Sequence, residues 1–313
     1  MGLSVQAAEH ASFDEQGRYD AVAQEVWREV LRRNDELVHE QGKWIHPAYL
    51  EGLRRLDLPS TIPRPDELNA RLEPIGWSVV SVAGYLPTAA YAGLVADGIL
   101  PISRVVRRPE HIDFAPAPDM VHDVLGHLPL LFSPEFRDYL KTLARVMVRA
   151  VASPLDQELY EAVTRMAELK GDVLSAPSAV AAAEADVERV TLALGAATSE
   201  ATALRRLYVW SVEFGLLGDA ANSTVHGAAL LSSPAEFRAA RAHDATTIPY
   251  SLGVVGHENS FSELLPQYFV ARDFAHYGDV LAEYEATMEF RHASASASDV
   301  RALAPAASER RHA

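Results

Sequence analysis

PAPDMVHDVLGHLPLLF, running from Pro116 to Phe132, sets two histidines, His122 and His127, among apolar residues, with an acid, Asp123, beside the first. Side chains three or four apart share one face of a straight helix. Five apart they diverge by about 140°, at ~100° per residue. Convergence therefore requires the helix to end between them. Gly126 and Pro129 are suitable breakers, so the expectation is a helix to about Leu125 and a turn that swings His127 back beside His122. Two imidazoles brought together in an apolar setting suggest a metal. The competing reading is a hydrogen-bonded pair of core histidines.

A third ligand candidate lies far downstream. LRRLYVWSVEFGLLGD, Leu204 to Asp219, reads as a helix with a single acid, Glu213, before its terminal Gly-Asp. Its helical neighbours at three and four positions are Val209, Trp210, Leu216 and Leu217. A carboxylate buried among these needs a positive partner. Arg205 or Arg206, about two turns back, is one candidate; a metal is the other. His122, His127 and Glu213 make two histidines and one carboxylate, the set of non-haem Fe(II) oxygen-activating sites. Zinc hydrolases use the same donors, so the metal stays open on donor types alone.

Four segments carry a family resemblance. PDMVHDVLGHLPLL resembles the iron motif of the pterin-dependent aromatic amino acid hydroxylases, YVWSVEFGLLGD their helix bearing the iron-binding glutamate, HGAALLSSPAEF their substrate-lining segment, and PIGWSVVSVAGYLP their pterin-side strand and loop. Order and rough spacing agree over about residues 20 to 290, and the match is nearest to bacterial members. The resemblance implies the catalytic-domain fold of that family, mainly α with a few short strands, and Fe(II) held by His122, His127 and Glu213. It implies tetrahydropterin (tetrahydrobiopterin or a relative) near Gly84, Tyr85, Leu86, Tyr91, Asp123 and Tyr208, with O2 as co-substrate. It also implies a free aromatic amino acid held by Arg107, Phe114, Pro118, Trp210, Ser232, Ser233 and Glu236. Arg107 would take the substrate carboxylate, which the guanidinium fork matches bidentately, although Arg104, Arg107 and Arg108 also read as a solvated basic face. Ser232 and Ser233 would contact substrate or hold His127. Three positions depart from the family pattern: Asp123 replaces a glutamate, Ala115 a threonine and Ala229 a glycine.

The implied reaction is ring hydroxylation, phenylalanine to tyrosine by default, with meta-tyrosine or hydroxytryptophan as alternative products. A zinc hydrolase on the same three donors is the alternative of another class.

The rest of the chain bounds these expectations. Its 313 residues carry a net charge of −15 and no cysteine. That excess disfavours nucleic acid and anionic membranes, and the absence of cysteine excludes disulfides and fits a cytoplasmic protein. The N-terminus has neither the basic start nor the apolar run of a signal peptide. Oligomeric state, monomer or dimer, is not encoded legibly. Residues 1–18 and 292–313 read as flexible tails around a single catalytic domain, 19–291. Within it, about 155–203 reads as an added helical hairpin. Helical spacing begins at Tyr19 and ends near Gly42. A turn and helix cover Lys43 to Leu58, with His46 structural, and PDELNARL makes a short helix. Strands are expected over Gly76 to Gly84 and Ile102 to Arg108. Ser133-Pro134 should cap a helix, and Ser233, Pro234 and Glu236 form a capping box. Residues 245–290 should give one strand and a final helix, with His257 and Glu258 a minor second metal candidate.

Overall fold

The helical spacing over residues 22–38 buries Val26, Trp27, Val30 and Leu37 in α1, Ala21–Gln41, which the Asp20 carboxylate caps by accepting from Ala23 N. The computed structural model describes residues 19–84, 86–115, 117–171, 174–243, 245–259 and 264–291. Both expected tails and Tyr85 lie outside them. Next come α2, Pro47–Leu56, and α3, Pro65–Leu72. The ring of His46 accepts from Ala48 N as the N-cap of α2, so this histidine is structural.

β1, Ser78–Val82, is followed by α4, Thr88–Ala96, and β2, Ile99–Ser103. The two strands pair in parallel from Ser78↔Ile99 to Val82↔Ser103. The second strand thus starts three residues and ends five residues earlier than the expected Ile102 to Arg108. At its end Ser103 N donates to Asp123, Arg104 N makes a last bond to Val82 O, and Arg107 N then donates to Asp119. A backbone donor needs one partner, and at Ser103 and Arg107 side chains of the next segment supply it.

The Pro129–Phe132 turn leads into α5, Pro134–Met147, capped by Ser133 as expected. α6, Pro154–Gly171, and α7, Pro177–Ala196, form the hairpin. It has a small core of its own, centred on Leu159, Val163, Met166, Val187, Val190 and Leu194. At its base the Asp156 carboxylate accepts from Ser153, Ser199 and Thr202.

α8, Glu200–Tyr208, continues into a π-turn, Val209–Glu213, and stops. The helix expected to run to Asp219 ends here because Leu216–Leu217 becomes β3. β3 pairs with β4, Thr224–Val225, and with β6, Gln267–Ala271. The sheet order is β4-β3-β6-β5, β5 being Thr246–Pro249. Two strands, not one, precede the final helix α11, Phe274–Glu285, while short α9, Ala228–Leu231, and α10, Pro234–Ala240, lie between β4 and β5. Among the described residues the architecture is mainly α with two small sheets. A large buried core joins α1 to α5, α8, the second sheet and α11. No helix among the described residues is long and apolar enough to cross a membrane.

Candidate metal centre

The histidines do converge, by a different route from a broken helix. His122–His127 is itself a π-turn, and Gly126 stays inside it. With i→i+5 bonding, residues five apart lie one above the other. Gly126 is needed for approach: a Cβ there would stand 2.6 Å from the carbonyl oxygen of Ala228. Glu213 ends the second π-turn, closed by Phe214 N donating to Val209 O at 2.9 Å. Both segments that bear the candidate ligands are therefore π-turns.

Three side chains meet. His122 Nε2 lies 3.0 Å from His127 Nε2, and each is 3.3 Å from an oxygen of Glu213. The two histidines are buried and the Glu213 side chain is 15% exposed. Ser232 sets the protonation of His122. Its hydroxyl donates to Ala228 O at 2.8 Å, so its lone pair receives the proton of His122 Nδ1 at 3.1 Å. A neutral ring then has a bare Nε2. One proton, on His127 Nε2, could serve only one of the contacts; a cation serves all three. An ion bonded at ~2.1 Å along perpendicular directions separates its donors by about 3 Å, the spacing found. The donor set fits a metal with one face open.

Without a metal, protons compete for the same donors. Burial pushes the Glu213 carboxyl up, but the adjoining His127 and His122 rings hold it well below the usual carboxylate range. Burial lowers His122, and the Glu213 carboxylate outweighs it, leaving a net rise. Arg205 and Arg206 do not reach Glu213. Both bind Glu258, while His257 Nδ1 meets Gln267 Nε2 at 2.9 Å, so the second metal candidate is a structural clasp. Asp123 is the rival third ligand: it and the two histidines bring ligand atoms within 4.8 Å of one another. Its Oδ2, however, accepts from Ser103 N at 2.6 Å. Glu213 is nearer both rings. Burial pushes the Asp123 carboxyl up to about 6 against the pull of His122 and His127.

On the side expected to face pterin, the Tyr91 and Tyr208 hydroxyls are 2.7 Å apart. Gly84 sits exposed in a left-handed conformation (φ 75°) and Leu86 is buried.

On the side expected to face substrate, Arg107 is an enclosed residue and not a solvated one. Its fork grips Asp119 at 2.8 and 3.0 Å, and Nη1 donates to Ser232 O at 2.8 Å. Asp119 also accepts from His122 N. The sequence reading did not single out Asp119; an acid three residues before a ligand histidine is the signal that it braces that turn. Phe114 and the divergent Ala115 and Ala229 are half-buried, and Pro118 is exposed. Trp210 is fully buried, donates to His257 O at 2.8 Å and packs on Phe269. Ser232 holds His122 and not His127, because the π-turn presents the first ring to α9. The capping box does not form: Ser233 donates to Asp113 O, and Glu236 Oε2 is buried without a partner. Burial pushes the Glu236 carboxyl up to about 7.

The chain matches the family model described as biopterin-dependent aromatic amino acid hydroxylase over residues 14–157 and 168–296. The residues between the two matched stretches, 158–167, fall inside the hairpin. It is 27% identical to a phenylalanine-4-hydroxylase of Mesorhizobium japonicum over 294 residues, covering 92% of this chain and 87% of that one. It is 28% identical to that of Chromobacterium violaceum over 238 residues, 75% of this chain and 64% of the relative. In fold it resembles the crystal structure of the Chromobacterium violaceum phenylalanine hydroxylase with bound iron(III) and 7,8-dihydrobiopterin. The TM-score is 0.68, with 23% identity over 91% of each chain.

Proposed function

Since the chain belongs to the biopterin-dependent aromatic amino acid hydroxylases, we propose that it is an iron(II)- and tetrahydropterin-dependent monooxygenase acting on the ring of free L-phenylalanine. The product is tyrosine. The observation that carries this is the bare Nε2 of His122 converging with His127 and Glu213. The zinc-hydrolase alternative has no support among the two relatives named above, both phenylalanine-4-hydroxylases.

When bound, iron and tetrahydropterin activate dioxygen and supply two electrons, one oxygen atom going to the ring. The protein's part is placement. Ser232 keeps the proton of His122 on Nδ1 and so keeps Nε2 available as a ligand. Asp119 holds the turn beneath His122 and the guanidinium of Arg107 at once, which ties the substrate-carboxylate anchor to the metal face. Val124, Leu125, Leu128 and Leu131, all fully buried, keep water from the ligand side. Asp123 and Tyr208 supply polar contacts for pterin beside Tyr91, and Phe114 offers an aromatic wall to the substrate ring. We read the enzyme as cytoplasmic, a monomer or dimer, without a nucleic-acid or membrane partner, its net charge of −15 repelling polyanions.

The test is anaerobic loading with Fe(II), then tetrahydropterin, O2 and phenylalanine, tyrosine or tryptophan in turn, with products resolved by hydroxyl position. Pterin-dependent tyrosine formation is expected. meta-Tyrosine or hydroxytryptophan would keep the chemistry and change the product. No hydroxylated product under any of these conditions would overturn the reading.

A further inference from the structure

His226, the residue after β4, is fully buried. Its Nε2 lies 2.9 Å from the carbonyl oxygen of Ser211. A carbonyl only accepts, so Nε2 carries the ring proton. Burial keeps the ring neutral, lowering its pKa to about 3, and Nδ1 is a bare acceptor buried without a partner. Phe274 and Tyr277 of α11 pack against the ring, their centroids 5.2 and 5.6 Å away. An unpaired ring nitrogen costs free energy in such a pocket, a cost that an apolar side chain would not carry. What histidine contributes here is the single N–H.

That N–H is given to the middle of the turn that bears Glu213. The turn, Val209–Glu213, is closed by Phe214 N, and Ser211 stands two residues before the ligand. The Ser211 side chain is held separately: its hydroxyl donates to Leu207 O at 2.6 Å and receives the Tyr139 hydroxyl of α5 at 2.6 Å. Two glycines let the His226 segment close on the turn. A Cβ at Gly215 would stand 2.1 Å from Ser211 O and 2.5 Å from His226 Nε2, and one at Gly227 would stand 2.3 Å from Glu213 O. Gly215 O accepts from the amides of both His226 and Gly227, at 3.3 and 3.1 Å.

We propose that His226 is a positioning residue of the metal centre: its Nε2–H, bonded to Ser211 O, fixes the end of the ligand-bearing π-turn and with it the place of Glu213. The inference rests on His122, His127 and Glu213 being the ligands. Partners that orient metal ligands are commonly worth about 10- to 100-fold in affinity; His226 acts through the backbone and belongs at the lower end.

The experiment titrates the metal-free protein with Co(II) alone, against a competing chelator, in wild type, His226→Met, His226→Gln and Leu194→Ala. Glutamine can place an N–H near the Nε2 position; methionine has a similar length and no donor. Leu194 lies in the hairpin core, apart from the ligand segments, so Leu194→Ala reports lost stability alone. His226→Met should weaken Co(II) binding about tenfold, and His226→Gln should stay within about threefold of wild type. Leu194→Ala should bind as wild type does. Ring-nitrogen NMR of the wild-type metal-free protein, which needs no variant to fold, should show His226 neutral with its proton on Nε2. Wild-type affinity in His226→Met, equal losses in His226→Met and His226→Gln, a matching loss in Leu194→Ala, or a proton on Nδ1 would each overturn the inference. His122→Ala checks the ligand set separately: unimpaired Co(II) binding there would sink the centre and this inference together. Loss of binding there, with His226→Met unaffected, would sink the inference alone.

Discussion

Ser232 decides which nitrogen of His122 is bare, and it does so because its own proton is committed to Ala228 O. Replacing it with alanine removes the acceptor of Nδ1 and frees the ring to choose either tautomer. Ser232→Ala should lower iron retention after desalting, with an affinity loss of about tenfold, and should leave the fold intact. Removal of a ligand is harsher: His122→Ala or Glu213→Ala should abolish hydroxylation while circular dichroism stays native, and wild-type turnover in either would refute the assignment. Glu236 gives a pH prediction of another kind. Its carboxyl is buried, unpartnered at Oε2, and pushed up to about 7 from an ordinary 4.5. The folded protein therefore holds the proton over a range in which the unfolded chain has lost it. Stability falls as pH rises from the unfolded value toward 7, by up to about 3 kcal/mol. Glu236→Gln cannot ionise, so it should melt above wild type at pH 8 and show little difference at pH 4.5. An equal difference at both values would mean that the carboxyl titrates normally.

At the scale of elements, the two π-turns are what a helical reading of the sequence cannot anticipate. A 3.6-residue period puts His122 and His127 on different faces, and the apolar pattern around them is the same for either helix type. For the same reason Gly126 marks close contact with Ala228 and not a helix end, while Pro129 does open the 3-10 turn that follows. Gly126→Ala would drive a Cβ against backbone that cannot rotate away. Overpacking of this kind costs about 1–3 kcal/mol, and because Ser232 is the C-cap of α9, metal affinity should fall with stability. A variant that loses stability and binds metal normally would uncouple the two. The hairpin was legible as two helices from its alanine-rich periodicity, yet its separate core emerges only from their packing. Leu194 is fully buried there. Leu194→Ala should cost about 2–5 kcal/mol, read as faster hydrogen exchange over α6 and α7, with the exchange of α5 unchanged.

For the whole molecule, legibility divides by sequence distance. The convergence of His122, His127 and Glu213 and the fold class could be read because their residues sit in short motifs. Pairings across long separations could not: Arg205 and Arg206 reach Glu258, and Arg33 reaches Asp113. Nothing local in the sequence distinguishes these arginines from ones that would pair with Glu213. The metal joins segments that are themselves far apart, His122 and His127 from one side of the hairpin and Glu213 from the other. It binds the folded arrangement alone, so it should raise stability by mass action, by about 2.7 kcal/mol at a free concentration 100 times Kd. In a chain of this size that is a rise of several degrees in Tm. The gain should fall on the large core, which contains all three ligand segments, and not on the hairpin, whose core shares no residue with them. Hydrogen exchange with and without Fe(II), under anaerobic conditions, should therefore show protection gained in α5, α8 and β3 and none in α6 and α7. Equal protection in the hairpin would mean that the two cores unfold as one unit, and that the hairpin is part of the metal-stabilised body of the enzyme.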